Sequence, residues 1–99
     1  MDEKQVLLLE NLKLIKETCV AISLSKLDKS SGIDTELQEK IETSHEELAE
    51  EVIYRILELI DGYSDLAFEV DLIVKETKSS LRDGIELHDK FIDFLAMNA

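Results

Sequence analysis

The chain has no proline and no tryptophan, a single cysteine, and only three glycines in 99 residues. Each scarcity excludes something. Without proline, no helix loses an internal backbone donor, and three glycines supply few built-in breaks, so long helices are favoured. Cys19 alone cannot form an intramolecular disulfide, which fits a reducing compartment. With two Tyr and three Phe as its only aromatics, the core has to be built mainly from Leu, Ile and Val. No apolar run approaches the length of a membrane span. The start, Met1-Asp2-Glu3-Lys4, has no basic n-region, and the run Val6–Leu9 is soon interrupted by Glu10, Asn11 and Lys13. No signal peptide is expected, and the expected location is cytoplasmic.

Chemical signatures are missing as well. There is no CxxC, no glycine-rich phosphate loop, no HExxH and no EF-hand loop. One Cys and two His exclude structural zinc of the usual kind within one chain. The chain is therefore expected to be no enzyme and to hold no cofactor or metal.

Positive charge is also scarce: 11 Lys and Arg stand against 23 Asp and Glu, for a formal charge of −12. The excess is unevenly placed. Residues 1–33 are neutral, with five acids and five bases, whereas residues 34–61 carry ten acids against Lys40 and Arg55, for −8. Residues 62–99 add −4, from eight acids and four bases. Phosphate contacts need cations, so nucleic acid and anionic membranes are excluded as expected partners, and a basic protein is favoured.

What is present reads as one helical domain over residues 1–99, an antiparallel bundle of about four helices, all-α in class. The first helix runs from about Asp2 to Leu27, with Leu8, Leu12, Ile15, Cys19 and Ile22 on one face and Leu7, Leu14 and Ala21 beside them. Cys19 is expected to be a small core residue. Asp2 and Glu3 suit the positive end of its dipole, and Lys26 and Lys29 the other end. Ser30-Ser31-Gly32 reads as a turn. The second helix runs from Asp34, a good N-cap, to Asp61, with Gly62 placed as the glycine beyond its end. Its apolar seam is Leu37, Ile41, Leu48, Val52, Ile56 and Leu59, and Ile53, Leu57 and Ile60 widen it near the end. Ser44-His45-Glu46-Glu47 matches a capping box, but the periodicity runs through it, so one long helix is expected. The third element, 64–80, is ambiguous. Leu66, Phe68, Val70, Leu72 and Val74 alternate as a strand does, although a lone strand needs Ser79–Arg82 folded back on it or a second subunit; a helix is preferred. The fourth helix is expected to open at Asp83, capping Gly84-Ile85-Glu86, and to bury Ile85, Leu87, His88, Phe91, Ile92, Phe94 and Leu95.

Two short motifs invite chemistry and are set aside. Glu42-Thr43-Ser44-His45 has the ExxH spacing of di-iron bundles, but the only other histidine, His88, has Ile85 three residues before it. Ser44-His45-Glu46-Glu47-Leu48 resembles the phosphoacceptor helix of sensor histidine kinases, yet Ala49-Glu50-Glu51 stands where that family has a basic residue, threonine and proline. His88, inside an apolar arc, reads as an ordinary half-buried histidine bonded to a neighbouring carbonyl, or else as a buried acid/base or pH-sensitive latch.

The richest feature is acidic. Glu39, Glu42, Glu46 and Glu50 share one face of the second helix, with Tyr54 expected to project among the carboxylates and Glu36, Glu47 and Glu58 at the edges. Like charges three and four apart weaken a helix, so a face that keeps them suits a partner-binding patch, while a merely solvated helix back is the plain alternative. Two functions follow as expectations. In size, acidity and lack of catalytic motifs the chain is similar to bacterial immunity proteins and antitoxins, which implies neutralisation of a basic partner through Glu39, Glu42, Glu46, Glu50 and Tyr54. The alternative is a structural or adaptor module that homodimerises along the seam Leu37, Ile41 and Leu48.

Overall fold

A computed structural model describes residues 1–27, 32 and 34–98. The described residues are mostly helical and form three helices: α1 (Glu3–Leu27), α2 (Thr35–Ile60) and α3 (Leu87–Met97). The expected turn at Ser30-Ser31-Gly32, and Lys29 with it, lies outside the described residues except for Gly32.

The ends of α1 and α2 are fixed by short polar side chains. Asp2 Oδ1 accepts from the Gln5 N–H at 2.8 Å while Gln5 Oε1 accepts from the Asp2 N–H at 2.9 Å, a reciprocal capping box. Asp34 caps α2 by accepting from the Leu37 N–H at 2.7 Å. At the other end the Tyr63 N–H donates to the Glu58 carbonyl and the Gly62 N–H to the Leu59 carbonyl. This closure needs a left-handed residue, and Gly62 supplies it at φ 91°. The helix passes Thr43 without a break.

α1 and α2 run antiparallel, as the pairs Lys16–Glu50 and Ser23–His45 show. α3 closes one end of this hairpin. Leu9 of α1, Leu57 of α2, and Leu87, Phe91 and Leu95 of α3 form the buried cluster, with Leu8, Leu12, Ile53, Ile60, Ile85 and Phe94 packed around it. The lengths explain what stays uncovered. At 1.5 Å per residue, the 26 residues of α2 span about 39 Å and the 11 of α3 only about 16 Å. α3 therefore shields less than half of the hairpin, and the molecule is elongated, 51 × 30 × 22 Å.

Three expectations are corrected. Residues 64–80 form no helix. Leu66, Val70, Ile73 and Val74 would share a helical face, but Thr77, Ser79 and Ser80 spend their hydroxyls on local bonds that compete with a helix. Instead the chain folds back in miniature: Ile73 bridges Ser80 antiparallel, the Leu81 N–H donates to the Leu72 carbonyl, and Lys78 turns the corner at φ 61°. The last helix begins at Leu87 rather than after Asp83, since Gly84 takes φ 72° and breaks the helical path. Cys19 is exposed, not core, because α2 covers only one side of α1 and no third helix reaches that far.

Candidate functional site

Two places stand out: a junction of polar groups where α2 meets α3, and an apolar groove along the bare side of the hairpin.

At the junction, the Asp61 side chain is 1% exposed yet fully engaged. Its Oδ2 accepts from the His88 backbone N–H at 2.9 Å and meets His88 Nδ1 at 2.6 Å. Its Oδ1 takes Arg82 Nε at 3.2 Å, while the remaining Arg82 nitrogens donate to the Val70 and Asp61 carbonyls. Asp61 thus caps α3 from another helix, filling the role that Glu86, at the cap position, leaves open. Burial pushes the Asp61 carboxyl up, but the hydrogen bonds from the backbone and ring of His88 and from the Leu87 N–H, with the attraction of His88, bring it below its ordinary value. An ionised carboxylate only accepts, so His88 Nδ1 carries the proton facing it and Nε2 faces outward.

Nε2 lies 3.4 Å from Glu86 Oε2 and 3.5 Å from Asp89 Oδ1. Glu86 is itself held, its Oε1 accepting from the Tyr63 hydroxyl at 2.9 Å. That bond and the Glu86 charge raise the Tyr63 phenol above its ordinary value, so it stays a donor. The rings of Tyr54 and Tyr63 stand edge-on to His88 at 5.5 and 5.1 Å. A second polar anchor lies nearby: Gln5, 2% exposed, donates from Nε2 to the Leu81 and Asp83 carbonyls and ties the start of α1 to the loop before α3.

The groove, about 450 Å³, runs between α1 and α2 on the side away from α3. Ile15 and Cys19 of α1 face Leu48, Val52 and Ile56 of α2 across it. Among the described residues, no acid lines it. Leu48 is 63% exposed and Leu14 60%.

Leu37 and Leu48 are exposed and Ile41 is half-buried. Glu39 is exposed, with Glu36, Lys40 and Glu47 around a shallow depression. Glu42 and Glu46 are half-buried and lean towards α1, near Lys16, Val20 and Leu24. Glu50 pairs with Lys16. Tyr54 packs on His88, with the Arg55 guanidinium 5.8 Å from its ring, and so lies apart from Glu39, Glu42 and Glu46. Burial first, then the charges of Glu58 and Asp89, raise the Tyr54 phenol above its ordinary value. His88 is buried rather than half-buried, and its partner is a carboxylate rather than a carbonyl. Sequence reading missed Asp61 and Gln5. Asp61 stands before a helix-ending glycine and reads only as a terminus, while Asp2-x-x-Gln5 was a legible capping box.

Comparison with protein-family models, with curated proteins and with solved structures finds no match to this chain.

Proposed function

We propose that this chain is a non-catalytic helical interaction module that acts as a homodimer, the bare face of its α1–α2 hairpin docking on that of a second copy. The observation that carries this is surface area. A folded monomer of 11.3 kDa exposes about 5,700 Å² by the usual scaling, whereas this chain exposes 7050 Å². Its radius of gyration, 16.3 Å, likewise exceeds the roughly 13 Å of a compact chain of this length. Removing that excess from two chains buries about 2,600 Å² in total, within the range of obligate homodimers.

Charge supports a second copy as the occupant. Two chains of −12 repel, but a groove with no acid among its described lining residues lets them meet where the repulsion is weakest. α1 is apolar around much of its circumference, with Leu7, Leu14, Ile15 and Ile22 all exposed, and a helix of that kind belongs inside an assembly. Docked hairpins would form a four-helix layer across the pair, and the role left to the chain is to join or scaffold whatever its remaining surfaces hold.

Sedimentation velocity at tens of micromolar should give twice the monomer mass. Leu48→Asp and Ile15→Asp should each yield a monomer that keeps the helical spectrum, and should speed thiol labelling of Cys19, which the partner copy otherwise shields. A wild-type monomer at high concentration, or a dimer that survives Leu48→Asp, overturns the proposal.

A second reading keeps the acidic face as a contact for a basic partner of the immunity or antitoxin kind. It is favoured by Glu36, Glu39 and Glu47, which stand exposed with Lys40 as the only cation among the described residues lining the same depression. Lys substitutions at Glu39, Glu42 and Glu46 should slow association with such a partner and leave self-association intact. Equal association rates for the two proteins would refute it.

A further inference from the structure

We propose that Glu86, His88 and Asp89 form a binding site for a divalent transition-metal cation at the start of α3. Among the described residues these three present one ligand atom each within 4.8 Å of one another. The acids alone would mean little. What points to a ligand is His88, whose side chain is 8% exposed and whose Nε2 faces both carboxylates while making no hydrogen bond among the described residues.

The ring orientation follows from Asp61. Its buried carboxylate lies 2.6 Å from Nδ1, so Nε2 is the ring nitrogen turned towards Glu86 and Asp89. One imidazole nitrogen and two carboxylate oxygens converge there, a set of donors that a cation can bridge. Asp61 behind the imidazole is the carboxylate that metal-bound histidines commonly carry, fixing the tautomer and raising basicity. The Tyr63 hydroxyl on Glu86 Oε1 does the same for the carboxylate, leaving Oε2 free to bind.

The distances fit a small cation. The edges from Nε2 to the two carboxylates, 3.4 and 3.5 Å, match a tetrahedron with metal–ligand bonds of about 2.1 Å, the length of zinc bonds to imidazole and carboxylate, and the two carboxylate oxygens, on exposed side chains, lie within 4.8 Å of each other. One imidazole with two carboxylates suits Zn²⁺ or Fe²⁺ better than a hard cation that prefers only oxygen. The positive end of α3 opposes a cation, but that field is weak beside two coordinating carboxylates. Glu86 and Asp89 are exposed, so the fourth position is open to water.

Titration of the full chain, stripped by chelator, with ZnCl₂ in a calorimeter should show one ion per chain and raise the melting temperature. Co²⁺ in place of Zn²⁺ should give the intense visible absorption of tetrahedral coordination. Glu86→Gln and Asp89→Asn, both at exposed positions, should each weaken Zn²⁺ binding at least about tenfold with the helical spectrum intact, and Tyr63→Phe should weaken it less. His45→Ala and Cys19→Ser should change nothing. No binding below about 100 μM Zn²⁺, undiminished binding in the Glu86→Gln, Asp89→Asn double variant, or loss of binding in His45→Ala would overturn the assignment.

Discussion

Replacing Asp61 should unfasten α3 from the end of α2. The carboxylate takes the His88 N–H, the His88 ring and Arg82 Nε, all with its side chain 1% exposed. Hydrogen bonds to a charged group contribute about 1.5–3 kcal/mol each, not additively, and breaking a buried charged pair by removing one member costs about 3–5 kcal/mol. Asp61→Ala should therefore lose about 3–5 kcal/mol, a large share of the 5–15 kcal/mol typical of a domain. Asp61→Asn keeps an acceptor oxygen and the shape but drops the charge, so about 1.5–3 kcal/mol is expected. Leu87, Phe91 and Leu95 remain buried, and their apolar packing should keep the Asn variant folded.

The pH dependence separates this cause from a general loss of packing. The folded-state value of Asp61 lies below its unfolded value, so its contribution is complete above the ordinary carboxylate range and is lost as pH falls through the lowered folded value. Urea denaturation followed by circular dichroism, at fixed protein concentration, should show wild type and Asp61→Asn converging in stability as pH drops from about 5 towards 2. A gap that stays constant over that window, or an Asn variant within about 0.5 kcal/mol of wild type at pH 7, refutes the role given to the carboxylate.

Gln5→Ala should cost about 1–3 kcal/mol in urea denaturation, because the Leu81 and Asp83 carbonyls lose their donor and a buried volume empties. Gly62→Ala should cost about 1 kcal/mol through its φ of 91° alone, since nothing lies within 4 Å of the added methyl; the thermal midpoint should fall without loss of helical signal. Added salt should strengthen the dimer by screening repulsion between two chains of −12, and should weaken any complex with a basic partner, so the sign of the salt effect on sedimentation separates the two contacts.

The long helices were legible because their signals are local. Asp34 caps α2 and Gly62 ends it, and the apolar period between them survives the polar turn at Ser44-His45. The start of α3 was displaced by three residues for a non-local reason. Asp83-Gly84-Ile85-Glu86 has the letters of a capping box, but the donor that α3 needs satisfied is met by Asp61 from α2, leaving Asp83 to serve Gln5 with its carbonyl. Residues 64–80 offered both readings and form neither a helix nor a strand: a single bridge and Arg82 bonds to the Val70 and Asp61 carbonyls hold the segment without a sheet.

The polar junction was hidden for the same reason that it is well held. Asp61 and His88 are 27 positions apart, and each looks ordinary in its own helix: one an acid at a terminus, the other a histidine in an apolar arc. Only the docking of α3, driven by Leu87, Phe91 and Leu95, brings them to 2.6 Å. The stripe of α1 shows the opposite case. Leu8, Leu12, Ile15, Cys19 and Ile22 do share a face, yet Ile15, Cys19 and Ile22 stand in the open. Periodicity reports which side of a helix avoids water, not how much protein is at hand to cover it. With α3 ending after 11 residues, the pattern specifies more buried surface than one copy of the chain supplies, and that shortfall is what a second hairpin would fill.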